Sequence, residues 1–316
     1  MRLTEGEAPI KLLRFATKFN VWRDGSPRRV RMFTKLGLAV LLALGLAASS
    51  QAAPLLDVVY PRVEERSTED YGYAVLELAL AKSGVPYRLR LSPFAMTPER
   101  ARLEMEAGRV SVLDFGTSAD YEARFRAVYF PIDRGLSGYR LAIIHEASAP
   151  SFARIRTLAD LRAMVAGQGP GWADATILTA AGIRVETAQF EQLFRMVNAR
   201  RFDFYPLGVE EVYGHLEHHR ALAPNAIVEP KLALHYPFAR LFFVAKGNAE
   251  LHDALSTGLK RAFADGSFQQ LLENHPSVKR SLAQAALSRR VIIELDNPLL
   301  TPAFKQMPAE YFYRPK

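Results

Sequence analysis

A glycine-rich segment in the middle of the chain has the composition of an anion-binding turn. Residues 167–171 read Gly-Gln-Gly-Pro-Gly, and the apolar periodicity that follows predicts a helix over 173–181. Unpaired backbone N–H groups at a helix N-terminus can bind an anionic group. The segment is not a dinucleotide-binding fingerprint, because Trp172 stands where the third glycine belongs. A plain strand-to-helix turn is the alternative interpretation.

A second group of residues that could bind a metal lies on a helix predicted over 209–220. A carboxylate and imidazoles recur there at spacings that could form a metal face, at Glu211, His215, His218 and His219. A solvated helix face explains the same spacing, so we expect no metal site. The chain has no cysteine and no G-x-S-x-G segment. These absences exclude a thiol nucleophile and leave a hydrolase unsupported, so we expect neither an enzyme nor a cofactor.

Four aromatic residues at predicted strand or helix ends could stack on a flat or apolar part of a ligand. They are Tyr60, Phe115, Trp172 and Tyr205. Aromatic residues at such positions belong to the core equally often, so their type alone does not decide between the two roles.

The elements that must position these residues alternate between strand and helix. Leu56–Tyr60 is a short apolar strand, Tyr71–Ser83 an amphipathic helix and Leu241–Ala245 another apolar strand, with a long helix after Asn248. Alternation of this kind predicts an α/β architecture. A chain of 316 residues is long enough for two core-bearing lobes.

The positive charge of the chain is concentrated at its N-terminus. The formal net charge is +8, but residues 1–53 hold nine Lys or Arg and three Asp or Glu, so the remainder carries +2. A nucleic-acid-binding protein should keep a basic face in its folded part, and we therefore expect no nucleic-acid partner. Basic residues before the apolar run 36–48, followed by Ser-Ser-Gln-Ala, have the order of a signal peptide.

We therefore predict that residues 1–52 comprise an N-terminal extension and a cleaved signal peptide, with the natural start at Met32. The apolar run of about 13 residues is shorter than the ~20 that a spanning helix needs. Without cysteine no lipid anchor can be attached. The sequence thus predicts secretion into the periplasm as a soluble protein.

Several short motifs in order resemble the extracellular solute-binding proteins of family 3, the polar amino-acid type, including a less characterised subgroup of transporter substrate-binding proteins. The similarity runs over roughly residues 54–280. It is carried by Ala245–Leu251 with Ala264–Phe268, Thr117–Tyr121 with Phe130-Pro131, Thr157–Leu161, Gly167–Gly169 and Arg201–Asp203.

The resemblance implies a type II periplasmic-binding-protein fold, in which two Rossmann-like lobes are joined by two crossover strands. Lobe one would comprise residues 53–142 and 246–316, and lobe two residues 146–238. The hinge strands would be 139–145 and 240–246. Ligand would close the cleft between the lobes by hinge bending.

The resemblance also implies site residues. An arginine that follows the Thr117 segment should bind a ligand carboxylate bidentately; that position falls on Tyr121 or, counted back from Phe130, on Arg124. We therefore expect Arg124→Ala to weaken binding. The expected ammonium-binding aspartate after Asp203 is replaced by Leu207 and Gly208. The complete set of expected ligand contacts is Tyr60, Phe115, Thr117, Tyr121, Arg124, Gln168, Gly169, Trp172, Asp203 and Tyr205.

Three functions stay open on the sequence. The resemblance favours a monomeric binding protein that captures a small polar solute, amino-acid-like or a carboxylate, for an inner-membrane ABC permease or a sensor. The incomplete amino-acid clamp is compatible with an orphan sensor or scaffold. An exported dehydratase-like enzyme is the third alternative, with Glu210, Glu211 or Asp174 as its acid.

Overall fold

The computed structural model describes residues 55–63 and 68–315. The predicted signal peptide lies outside the described residues. The described helices and strands all belong to one compact unit, residues 53–316.

Helices and strands alternate along this unit. The strands are β1 (Leu56–Val63), β2 (Tyr87–Met96), β3 (Val112–Gly116), β4 (Arg126–Val128), β5 (Tyr139–His145), β6 (Val165–Gln168), β7 (Arg184–Thr187), β8 (Phe204–Gly208), β9 (Ala226–Val228), β10 (Leu232–His235), β11 (Arg240–Val244) and β12 (Val291–Glu294). The α-helices are α1 (Tyr71–Ser83), α2 (Pro98–Glu106), α3 (Ala119–Arg124), α4 (Ala149–Phe152), α5 (Leu158–Leu161), α6 (Ala173–Ala180), α7 (Phe190–Asn198), α8 (Val212–His218), α9 (Ala249–Ala264), α10 (Ser267–Asn274), α11 (Pro276–Ala285) and α12 (Pro302–Lys305).

The described strands form a small-sheet region and one large mixed sheet. β1 pairs with β2 in parallel, and β11 lies between β3 and β4 in a three-stranded antiparallel arrangement. The large sheet has the order β12-β10-β5-β8-β6-β7, and β9 adds to β5. The predicted α/β class is confirmed. Of the strands in the large sheet, β6, β9 and β10 were not predicted from the sequence.

Local sequence explains where several helices begin. Thr97, Ser118 and Asn248 each accept a backbone N–H of the following turn through the side chain, which satisfies a donor that the helix leaves unpaired. Helix α9 packs closely on α1 at Gly258, where a Cβ atom would lie 1.8 Å from the carbonyl oxygen of Ala79. Glycine is therefore required at this helix contact.

The two strands predicted for the hinge, 139–145 and 240–246, correspond to β5 and β11. Strand β5 pairs along its length with β8 and β9 of the large sheet, and β11 pairs only with β3 and β4. The connecting segments are therefore 129–138 and 236–239. They lie side by side, because Tyr236 N–H donates to the carbonyl oxygen of Gly138 at 3.2 Å. The division into lobes at the predicted residues stays a prediction.

The C-terminal part of the chain contacts both sheet regions. Helix α9 does pack on α1 beside the small sheets, but β12 pairs in parallel with β10 at the edge of the large sheet. Ile293 is buried there, and the Arg290 guanidinium donates to the carbonyl oxygen of Leu232 at 2.9 Å. An apolar strand anchored in this way completes the large sheet, so residues 246–316 contribute to both sheet regions.

Candidate functional site

A cavity of about 480 Å³ lies between the small-sheet region and the large sheet. One wall comes from β1, β3, β11 and the start of α1, and the facing wall from β5, the end of β8 and the start of α6. Segments 129–138 and 236–239 and the ends of α10 and α11 complete the lining. Cavities beyond the carboxyl ends of α/β strands are the usual ligand sites of such folds.

On the small-sheet wall, an arginine and an aspartate form a buried ion pair. Arg240 of β11 donates to the Asp114 carboxylate, and Asp114 on the neighbouring strand β3 is fully buried. Burial alone would lower the pKa of Arg240, but the charges of Asp114 and Glu210 raise it above its ordinary value. Arg240 is therefore a permanent cation at the cavity wall.

On the large-sheet wall, a second arginine is held by three partners. The Nε of Arg140 on β5 lies 3.1 Å from Asp174 Oδ1 and donates to the Tyr236 hydroxyl at 2.8 Å. Its Nη1 lies 3.5 Å from Glu211 Oε1. The Tyr236 hydroxyl donates to Asp174, which closes a buried network. Burial alone would lower the pKa of Arg140, but Asp174, Tyr236 and Glu211 raise it.

Aspartate 133 lies between the two walls on segment 129–138. Its carboxylate accepts the backbone N–H groups of Gly135 and Ser137, each at 3.0 Å, and that of Arg240 at 3.1 Å. These donors satisfy the carboxylate oxygens without a ligand. Asp133 therefore ties the first connecting segment to β11 beneath the cavity.

Glu210 follows β8 and has a different environment from the other carboxylates. The nearest cationic atom among the described residues is Arg240 Nη1, 4.0 Å from its Oε1. Burial and the nearby Asp133 raise the pKa of Glu210 to about 8. Its backbone carbonyl accepts the Ser281 hydroxyl of α11 at 3.2 Å, which fixes the loop in the cavity. Glu210 is thus a carboxyl group that gains and loses its proton near neutral pH.

Comparisons with solved structures relate this arrangement to known proteins. A probable amino-acid ABC transporter extracellular-binding protein from Bacillus subtilis superposes with a TM-score of 0.51 at 13% identity, covering 72% of this chain and 99% of that chain. The similarity between the two structures establishes the fold of this chain. This is the type II periplasmic-binding-protein fold.

Other neighbours are more distant. An amino acid ABC transporter substrate-binding protein from Streptococcus pneumoniae, bound to L-arginine, gives a TM-score of 0.48 at 14% identity, covering 75% of this chain and 98% of that chain. A histidine kinase sensor domain with similarity to periplasmic binding proteins gives 0.47 at 16%, covering 70% and 95%. No protein-family model and no curated protein matches the sequence.

Three of the ten predicted contact residues line the cavity of this binding-protein fold. They are Tyr60, Phe115 and Trp172. The Trp172 ring covers Gly169, where a Cβ atom would lie 2.4 Å from the ring atom Cε2. The glycine of the predicted anion-binding turn is therefore required for tryptophan packing, and it lies outside the cavity lining.

Arg124 lies outside the cavity. Its guanidinium pairs with Glu106 at 2.6 Å and Asp120 at 3.7 Å on the surface, because helix α3 directs it towards α2. Tyr121 packs between Phe115 and Phe243 in the small-sheet core. Thr117 donates its hydroxyl to Glu122 at 2.6 Å.

The other predicted residues of the large sheet have structural roles. The Asp203 carboxylate accepts the backbone N–H of Val165 at 2.7 Å, and the Gln168 amide donates to the carbonyl oxygen of Pro206 at 3.0 Å. Tyr205 is fully buried against Phe194, and its hydroxyl has no partner among the described residues. These three lie behind the cavity wall.

Four charged residues of the site have no role in the expectations from the sequence: Arg140, Arg240, Asp114 and Asp133. Arg140 and Arg240 were treated only as parts of hinge strands, although each is a single charge inside an apolar strand. A charged side chain there must find a buried partner. That pattern, also present at Asp114 in Val-Leu-Asp-Phe, is the sequence feature that could have located them.

The histidine face predicted on α8 is occupied by packing. The His219 ring stacks on Phe194 with centroids 4.3 Å apart, and its Nδ1 lies 2.9 Å from the carbonyl oxygen of His215. Across residues 55–63 and 68–315, no group of His, Asp and Glu has the arrangement of a metal site. No helix in those ranges is long and apolar enough to cross a membrane.

Proposed function

We propose that this protein captures a small polar solute of the amino-acid type in the cavity between its sheets and performs no covalent chemistry on it. The observation that carries the proposal is the cavity itself: about 480 Å³ on a binding-protein fold, with cationic and anionic groups on facing walls. An amino acid needs both signs of charge, and a cavity of this size suits a small ligand.

Tyr60, Phe115 and Trp172 are the proposed aromatic contacts, and the part of the Arg240 side chain that stays exposed is available to a ligand carboxylate. Delivery to an ABC permease or a sensor follows from the same proposal, as does export to the periplasm through the leader over residues 32–52. The family resemblance of the sequence and the fold of the neighbours support these statements.

Charge argues against the dehydratase alternative. Glu210 has the raised pKa that a general acid needs. The acids on which such enzymes act carry two carboxylates, however, and the cavity presents more carboxylates than arginines. Incubation with a prephenate-type acid and detection of products by mass spectrometry would decide for the enzyme if turnover appeared.

A thermal-shift screen of the purified full chain against amino acids, carboxylates and polyamines tests the proposal, because a ligand that binds the folded state raises the melting temperature. Trp172→Ala should lower the affinity for the best solute at least tenfold, whereas Arg124→Ala, outside the cavity, should leave it unchanged. The reverse pattern, or no shift with any solute, would refute binding in this cavity.

A further inference from the structure

Carboxyl groups outnumber guanidinium groups around the cavity by a wide margin. The cationic side chains of its lining are Arg140 and Arg240. The carboxyl groups of the lining belong to Asp70, Asp114, Asp133, Asp174, Glu210 and Glu211. A cavity of one dominant sign attracts ligands of the other, because low-dielectric walls focus its field.

The arginines are already neutralised. Arg140 lies against Asp174 at 3.1 Å and Glu211 at 3.5 Å, and Arg240 donates to Asp114. Asp133 is satisfied by backbone donors. The loop after β8 places two adjacent carboxyl groups, Glu210 and Glu211, on the cavity lining, and among the described side chains none donates a hydrogen bond to Glu210.

We propose that the captured solute carries a net positive charge and that its ammonium or guanidinium group binds between Glu210 and Glu211. This inference rests on the proposed function and narrows its ligand class to small organic cations. Among the described residues, no side chain donates a hydrogen bond to the Glu210 carboxyl, whose nearest cationic atom is Arg240 Nη1 at 4.0 Å, so a cationic ligand supplies the hydrogen-bond donor.

Binding of the cation is coupled to release of a proton. Several groups from other elements and from its own loop face Glu210: Tyr71 on α1, Asp133 on the first connecting segment, Arg140 on β5, Arg240 on β11 and the adjacent Glu211. Burial and the two anions keep Glu210 protonated at neutral pH. A bound cation favours its ionised form, so the carboxyl proton leaves to the solvent.

Isothermal titration calorimetry of the full chain with matched pairs tests the charge class. L-arginine and L-citrulline have nearly the same shape but differ by one positive charge, and putrescine and 1,4-butanediol form a second such pair. In at least one pair the cation should bind tenfold or more tightly than its neutral partner. L-glutamate should bind more weakly than either cation.

Glu210→Gln removes the ionisable group and should reduce the preference for the cation by about tenfold. Glu250→Gln, on the exposed first turn of α9, is the matched control and should change nothing. Titrations at pH 7 in two buffers of different ionisation enthalpy should show proton release in the wild-type protein and none in Glu210→Gln.

Different results would overturn the solute-binding function and the cationic ligand class. Tighter binding of citrulline, butanediol or glutamate in this cavity would overturn the cationic ligand class while leaving the solute-binding function standing. A preference for cations that survives Glu210→Gln would overturn the placement at this loop. Absence of binding by every charge class would overturn both proposals.

Discussion

Two arginine–aspartate pairs face each other across the cavity, and they are built differently. Arg240 and Asp114 lie on neighbouring strands, two residues out of register, so that the pair is formed within one sheet. Arg140 and Asp174 join β5 to the first turn of α6, with Tyr236 of the second connecting segment between them. The first pair depends on strand pairing alone, whereas the second depends on the connecting segment.

The two pairs also differ in burial and in the number of carboxyl groups near each arginine. Asp114 is fully buried, and its partner Arg240 has a second carboxyl, Glu210, only at 4.0 Å. Arg140 keeps Glu211 at 3.5 Å in addition to Asp174. Loss of Asp114 would therefore leave Arg240 without an ionised partner at neutral pH. Loss of Asp174 would leave Arg140 with Glu211. We infer that the first pair mainly supports the fold and that the second can change its partners.

The largest expected effect follows from removing the charge of Asp114. Asp114→Asn leaves the partly buried Arg240 without its anion and a polar group in a fully buried position, which should lower the free energy of unfolding by about 3 kcal/mol. Urea denaturation followed by circular dichroism measures this loss. As a control, Asp57→Asn breaks the exposed ion pair with Arg90 at 3.2 Å and should leave the midpoint nearly unchanged. Equal losses in the two variants would contradict the structural role of the buried pair.

An intermediate effect concerns pH and Glu210. The folded protein binds this proton up to about pH 8, whereas the unfolded chain releases it near the ordinary value of 4.5. Between these values the folded state holds more protons, so the free energy of unfolding should fall by at most about 1.4 kcal/mol for each unit by which the pH rises. Below pH 4.5 the contribution is fully present, and above pH 8 it is lost.

Glu210→Gln should flatten this part of the profile, as measured by the urea midpoint at pH 5, 6, 7, 8 and 9. Glu250→Gln is again the exposed control, and its profile should follow the wild type. If Glu210→Gln retained the full decline between pH 5 and 8, another group would be responsible for it.

The sequence predicts the fold better than it predicts the site, and the reason is physical. The predicted helix Tyr71–Ser83 has the bounds of α1, because apolar periodicity is a local property. The short strands β9 and β10 are separated by Glu229-Pro230-Lys231 and show no such periodicity. Their place in the sheet is decided by pairing with β5.

The site depends on contacts between distant residues. Arg240 and Asp114 are 126 residues apart, and Tyr236 and Asp174 are 62 apart. Spacing within a motif cannot report such pairs. The motif that resembled a ligand clamp led to Arg124, which the helix instead directs to Glu106 on the surface.

The smallest expected effect tests whether the pair on the large sheet is the adaptable one. Asp174→Asn should lower the free energy of unfolding by about 1–2 kcal/mol, since Glu211 still compensates Arg140. Tyr236→Phe should cost about 1 kcal/mol by removing the hydroxyl that joins the two groups. Because both changes act on one network, the double variant should lose less than the sum, with a coupling of at least about 0.5 kcal/mol. Additive losses, or a loss in Asp174→Asn as large as that in Asp114→Asn, would show that the two pairs play the same role after all.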